Sequence, residues 1–488
     1  MSTLKSQGIS AFLWHFFGRM GVQGIAFIVS IFLARLLEPT EFGLVAMVSV
    51  IIAIAQVFTN VGLVAALIQR KRVLPVHYSS VFYFNICIGA LLSLLVFASA
   101  PAIARFYNNE QLIPLTQAMS LLFVINALST VQNTKMRREL KFELLTKIRL
   151  IAGVVGGVIG VTLAFYGAGV WSLVAMTMST GVSYNLLIWF ASKWAPSLLF
   201  SLKALMQLWG FGARMFLAVL LDTIFTRLDV IIIGRLFAPA TLGFFQRAKS
   251  LNEMATVYPS GSLVQVLFSV LSKVQKDLAQ FQNIVIKTLG IISFTVFLLL
   301  GGLYLVSEEL IILLFSEKWI PSVEYFKILV LGGFVFPVGA LLTTVLSSRG
   351  NSKAVLRLEI YKKILLAVNL YVGFLFGIKG YLYGLVVAST IGLAIAILIA
   401  SREAGFRPSD FFKPLISQLT ISVAAVFGVL MLLQSVDASI LFALIFKGGL
   451  FMFFYISLSW LFKTSSYRYS YEQLAPVIKR KLAGSRDM

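Results

Sequence analysis

Chemistry-bearing side chains are scarce in this 488-residue chain, which has one cysteine, Cys87, and two histidines, His15 and His77. A single thiol excludes an internal disulfide and any cysteine metal cluster, and two histidines with one cysteine cannot fill a zinc site. Acidic residues are few, 19 Asp and Glu against 41 Lys and Arg, and only 12% of residues are charged. No P-loop occurs, and no glycine-rich nucleotide loop follows a strand-like run. Any transport must therefore draw on an ion gradient or on the downhill flux of the solute. Long polar loops are missing too. The longest segment on the less basic side, Ser307 to Val323, is short and partly apolar, with no room for a catalytic domain.

What fills the chain is apolar, 59% hydrophobic residues with a mean hydropathy of +0.93. A soluble fold has no use for so much apolar surface. At about 20 apolar residues per crossing, spans fall near 11–37, 42–68, 79–104, 114–134, 150–167 and 170–191. A second set lies near 208–233, 241–270, 284–306, 324–347, 360–377 and 381–400, and a last pair near 416–434 and 439–462. The expected fold class is all-α, a polytopic integral membrane protein of about fourteen transmembrane helices. Two six-helix lobes would cover 1–200 and 201–402, two additional helices 403–465, and a basic cytoplasmic tail 466–488. The first run, Ala11 to Leu37, is too long for a cleavable signal and ends in no small-residue cleavage site.

Most of the 41 basic residues crowd the segments on one side, whereas the other side carries Arg105, Arg235, Lys318 and Lys379 beside Glu110, Glu308, Glu309 and Asp437. By the positive-inside rule both termini are cytoplasmic. The formal charge of +22 is then a topology signal rather than a nucleic-acid footprint. Between Lys135 and Arg149, Met136, Leu140, Leu144 and Ile148 recur every four residues, with Glu143 and Lys147 as a favourable pair. That segment reads either as a short helix on the inner membrane surface or as an extension of the fourth span.

The chain also repeats itself. Leu33-Ala-Arg-Leu-Leu-Glu-Pro-Thr-Glu-Phe-Gly43 matches Ile233-Gly-Arg-Leu-Phe-Ala-Pro-Ala-Thr-Leu-Gly243 at Arg35/Arg235, Leu36/Leu236, Pro39/Pro239 and Gly43/Gly243. Proline and glycine turn one helix into the next, and arginine stands where the run leaves lipid. Phe106 with Ile113-Pro114 parallels Phe315 with Ile320-Pro321, and Gly169-Val-Trp-Ser-Leu-Val174 resembles the stretch from Gly380 to Val386. Six helices per copy make the repeat parallel, about an axis along the membrane normal.

Charge within spans is costly and marks cavities or partners. In the first span His15, Arg19 and Gln23 share a face, with Arg19 roughly 13 Å past Ser10. The seventh span holds Arg214, Asp222 and Asp229 near one stripe, with Arg227 pointing away; the eighth opens with Arg247, Lys249 and Glu253. Folding that hairpin sets Asp229 level with Arg247 or Lys249, a structural pair. Asp222, deeper and costly to ionise, is the better candidate for coupling. Thr59-Asn-Val-Gly62 and Tyr258-Pro-Ser-Gly-Ser262 predict paired helix breaks, as moving elements or as packing kinks.

Arg35 to Gly43, Gly62-Leu-Val-Ala-Ala-Leu-Ile-Gln-Arg70 and Asp229-Val-Ile-Ile-Ile-Gly-Arg235 resemble the polysaccharide exporters of the multidrug/oligosaccharidyl-lipid/polysaccharide flippase superfamily, in particular the colanic-acid-exporter branch. The resemblance implies two lobes around a V-shaped cavity in a bacterial inner membrane, alternately open inside and outside. It also implies an undecaprenyl-diphosphate-linked oligosaccharide as substrate, with a polymerase and glycosyltransferases as partners in the pathway. On this reading Arg19 and Arg214 meet the diphosphate, with Arg247 as a further cation. Gln23 and Asn60 offer polar contacts to sugars, while Asp222, Asp229 and Glu253 bind a proton or sodium ion. No cofactor or catalytic residue is expected. A cation-coupled multidrug antiporter shares the architecture, but span arginines here outnumber span carboxylates. A membrane polymerase would need a catalytic loop.

Overall fold

Inside lipid a backbone can satisfy its polar groups only within its own segment, so each apolar run coils. The computed structural model describes residues 2–59, 63–70, 72–432 and 439–472, with the side chains of 2–17, 19, 209–215 and 258–266 outside that set. Among the described residues every regular element is helical. In chain order they are α1 (Ser2–Leu36), α2 (Pro39–Thr59), α3 (Leu63–Gln69), α4 (Pro75–Tyr107), α5 (Leu112–Ser120) and α6 (Leu122–Arg138). Then come α7 (Phe142–Phe165), α8 (Val170–Ser192), α9 (Leu202–Leu236), α10 (Pro239–Lys273), α11 (Leu278–Leu305) and α12 (Ser307–Phe315). A short 3-10 turn, Glu317–Trp319, leads to α13 (Pro321–Gly332), α14 (Val335–Ser348), α15 (Ser352–Leu375), α16 (Gly377–Ala404), α17 (Pro408–Leu432) and α18 (Ile440–Leu461). Five helices open on proline, whose missing N–H and fixed φ suit a first turn. Every expected span falls on one helix or a pair, and ten stretches among the described residues are long and apolar enough to cross a membrane.

Three details differ from the sequence reading. The segment 135–149 is no surface helix: α6 runs to Arg138, Leu140 takes φ 57°, and α7 starts at Phe142. Met136 and Ile148 are buried while Leu140 and Leu144 are exposed, so the four-residue rhythm belonged to two helix ends. The Glu143–Lys147 pair does form, at 2.7 Å. The eighth span shows no break, since α10 is one helix through Pro259, whereas α2 ends at Thr59 and α3 resumes at Leu63; residues 60–62 lie outside the described set. Finally, Gly380 lies within α16. The turn glycine matching the α7–α8 turn is Gly377 at φ 73°, against Gly167 at φ 78°, a left-handed backbone that other residues adopt poorly.

The chain forms two compact units, Met1–Gln246 and Arg247–Met488. By sequence α9 opens the second repeat, yet it packs in the first unit, against α2, α3 and α4. Its N-terminal end is tied by Gln207, whose Oε1 accepts from Arg70 Nη2 at 2.6 Å and lies 3.3 Å from His77 Nε2. Further along, Phe216 meets Phe58 edge-on at 5.1 Å between centroids. In the same unit the two copies of the repeated motif pack on each other. A Cβ added to Gly43 would lie 1.8 Å from the Pro239 carbonyl oxygen, and one added to Gly243 would lie 2.1 Å from that of Pro39. The contact is reciprocal, as a two-fold relation between the copies demands.

The second unit is built on α11, α14, α16, α17 and α18, with one continuous apolar core. Lipid offers no hydrophobic drive between helices, so hydrogen bonds and close packing hold α17 and α18 in place. The Tyr455 hydroxyl sits 2.9 Å from the Phe294 carbonyl and 2.7 Å from Gln418 Oε1, and Ser422 donates to the Phe297 carbonyl. Near the other end of α18, Lys447 pairs with Glu309 of α12. Lys447→Met leaves Glu309 uncompensated in a mostly enclosed site, a cost of about 1–3 kcal/mol. Thermal melts in detergent should show Lys447→Met less stable than the parent and Glu309→Gln/Lys447→Met partly restored. Equal melting temperatures for all three would remove the pair as a tie.

Candidate functional site

The eight side chains singled out from the sequence are carried by four places: α1, the α2–α3 junction, α9 and α10. On α1, Gly18 presses against Thr146 and Gly21 against Leu150, which seats this helix on α7. Gln23 stands half-buried on α1. The side chains of Arg19 and Arg214, and all of Asn60, lie outside the described residues.

On α9 the charges divide. Asp229 is 8% exposed, and its Oδ1 accepts the Val230 N–H at 2.8 Å, so this carboxylate turns back onto its own helix. Asp222 lies near the middle of α9 and is exposed, in a stripe with Ala218 and Thr226; the Thr226 hydroxyl donates to the Asp222 carbonyl at 2.8 Å. Arg227, on another side, is exposed as well. Facing hydrocarbon would cost about 2.5–3.5 kcal/mol for each such charge at the centre of a span. An exposed carboxylate at this point of α9 is thus one that hydrocarbon would penalise and water would not.

Beside this helix lies a polar knot that sequence reasoning missed. Gln56 Nε2 donates to Thr59 Oγ1, and Asn126 Nδ2 donates to Gln56 Oε1 at 3.1 Å. Phe58, between Gln56 and Thr59 in sequence, meets Phe216 of α9. The available signal was two amides inside apolar spans.

In the second unit Arg247 is 7% exposed, with its guanidinium carbon 4.6 Å from the Phe315 ring centre and 4.9 Å from that of Trp319. A cation enclosed by two aromatic faces anchors the turn after α12. The aromatic faces thus hold in place the cation that the sequence offered for substrate binding. Glu253 is half-buried on α10, and its neighbour Asn252 abuts Gly333 at the break between α13 and α14. Among the described residues no cluster of His, Cys, Asp and Glu could hold a metal ion.

An all-helical chain with ten stretches long and apolar enough to cross a membrane, and charged side chains exposed along α9, is a polytopic membrane protein of the transporter class. The chain is similar in fold to a solved lipid II flippase, MurJ in an inward closed conformation, with a TM-score of 0.74 and 16% identity over 96% of this chain and 100% of that one. It is 24% identical to the lipopolysaccharide biosynthesis protein WzxC of Escherichia coli (strain K12) across 76% of each chain. It is 26% identical to the teichuronic acid biosynthesis protein TuaB of Bacillus subtilis (strain 168), across 69% of this chain and 70% of that one. Residues 32–324 match the polysaccharide biosynthesis protein family, and the chain belongs to it.

Proposed function

We propose that this protein flips undecaprenyl-diphosphate-linked oligosaccharide repeat units from the cytoplasmic to the periplasmic leaflet of a bacterial inner membrane, by alternating access. The observation that carries the reading is the exposed, charged middle of α9 in a fold shared with a lipid II flippase. A diphosphate headgroup crosses only where water and cations replace its hydration. Arg19 and Arg214 supply those cations; Gln23 and Asn60 offer hydrogen bonds to sugars. The direct test is movement of a fluorescent lipid-diphosphate-oligosaccharide between leaflets of proteoliposomes, with protein-free vesicles as the baseline.

Orientation follows from the loop charges. Reporter fusions at residue 72 should read cytoplasmic and one at residue 109 periplasmic; the reverse pattern would invert the proposed direction.

Asp222 couples transport to an ion gradient by binding a proton or sodium ion in one conformation and releasing it in the other. Asp229, bonded to its own backbone, and Glu253 are the lesser candidates. Asp222→Asn is expected to abolish the response to an imposed gradient and leave substrate binding largely intact. Asp229→Asn is expected to lower expression or melting temperature instead. A full gradient response in Asp222→Asn would leave Asp222 a polar lining residue.

A further inference from the structure

The reversal between α6 and α7 places a second group of cations that the transport path does not use. Met136, Leu145, Ile148 and Ile188 bury one another, with Tyr184 of α8 packed on them. Arg137 and Arg149, each next in sequence to a member of that cluster, flank Tyr184. Its hydroxyl takes a hydrogen bond from Asn133 Nδ2 and another from the Arg149 side chain, and Arg137 is near enough to feel both Arg149 and the phenol.

The carboxylates of this turn are already taken. Glu139 pairs with Lys135 at 3.8 Å and Lys141 at 2.6 Å, and Glu143 pairs with Lys147 at 2.7 Å. Among the described residues neither Arg137 nor Arg149 pairs with a carboxylate. Arg149 thus bonds the Tyr184 oxygen with Arg137 close by, and an anion between the two guanidiniums would relieve their repulsion. Arg149 lies about 10 Å along α7 from its start, at headgroup rather than mid-membrane depth. Arg149 is anchored on a tyrosine fixed by a buried cluster, and Arg137, though exposed, stands within electrostatic reach of both.

We propose that Arg137, Arg149, Tyr184 and Asn133 form a phosphate-binding site for a lipid headgroup at the inner membrane surface. The guanidiniums offer paired donors to phosphate oxygens, and the Tyr184 hydroxyl is free to turn its proton to the same ligand. The phosphate has two possible sources, a polyprenyl diphosphate carrier or a bilayer phospholipid. The site stands whether or not the protein proves to be a flippase, because it is read by binding.

Native mass spectrometry of the detergent-purified protein, titrated with undecaprenyl diphosphate bearing no sugar or with phosphatidylglycerol, measures the site directly. An Arg19→Ala/Arg214→Ala background removes binding at the transport site. In that background Arg137→Gln/Arg149→Gln is expected to weaken phosphate-lipid binding roughly tenfold or more, Arg149→Lys less, and Tyr184→Phe least. Weakening confined to undecaprenyl diphosphate identifies the carrier as the ligand; equal weakening for phosphatidylglycerol identifies a bilayer lipid. Unchanged affinity for both lipids overturns the site. Should the double variant unfold, Arg137→Gln alone, at an exposed position, is read in the same titration.

Discussion

Replacing Arg19 or Arg214 by alanine is expected to cut flipping of a lipid-linked diphosphate roughly tenfold to a hundredfold, at unchanged protein level. The magnitude follows from a hydrogen bond to a charged group, about 1.5–3 kcal/mol each, lost where diphosphate charge must be stabilised without bulk water. Arg19 follows Gly18, which is pressed on Thr146, and Arg214 precedes by two residues Phe216, which meets Phe58 edge-on. Both cations are thus mounted on helices held in place by contacts of their neighbours. Lysine at either position keeps the charge and loses the planar fork, so Arg19→Lys and Arg214→Lys should retain part of the activity. Transport in proteoliposomes, normalised to reconstituted protein, is the readout. Wild-type rates in both alanine variants would take these arginines out of the substrate path.

The second large effect belongs to the glycine crossing. Alanine at Gly43 or Gly243 puts a methyl group against a backbone carbonyl, 1.8 Å and 2.1 Å away respectively, and neither carbonyl can swing aside as a side-chain tip would. The starts of α2 and α10 must separate, at a cost of about 1–3 kcal/mol from overpacking. Each single variant should melt several degrees lower and transport more slowly. The double variant should fall well short of additive, because one separation relieves both contacts. Gly24→Ala is the control: nothing lies within 4 Å of a Cβ there, so it should be neutral or slightly stabilising. Additive losses, or equal losses for Gly24→Ala, would contradict the crossing.

That glycine pair shows where the sequence stops being informative. Apolar runs and prolines place the spans, since both act within one segment and leave a local pattern. The repeated Arg-Leu-x-x-Pro-x-x-x-Gly is legible as a turn, but a contact between residues two hundred apart has no periodicity to betray it. The setting of Arg247 was hidden for the same reason: its aromatic neighbours, Phe315 and Trp319, arrive from a distant turn. The four-residue rhythm of 135–149 misleads because Leu140, with φ at 57°, reverses the chain in mid-pattern. Asp222 was legible as a lone mid-span carboxylate; that its face is exposed needed the packing of α9 against α2, α3 and α4. Gln56 and Asn126 were visible as polar breaks in apolar runs, and only the fold joins them.

The central claim is that this chain moves a lipid-linked oligosaccharide between leaflets. Purified protein in proteoliposomes, with a fluorescent undecaprenyl-diphosphate-oligosaccharide in both leaflets and a membrane-impermeant quencher added outside, reports that movement by the fraction quenched. The account predicts quenching of both leaflets with the parent protein, and of the outer leaflet alone with Arg19→Ala/Arg214→Ala. Quenching limited to the outer leaflet with correctly folded parent protein, with or without an ion gradient, would contradict it.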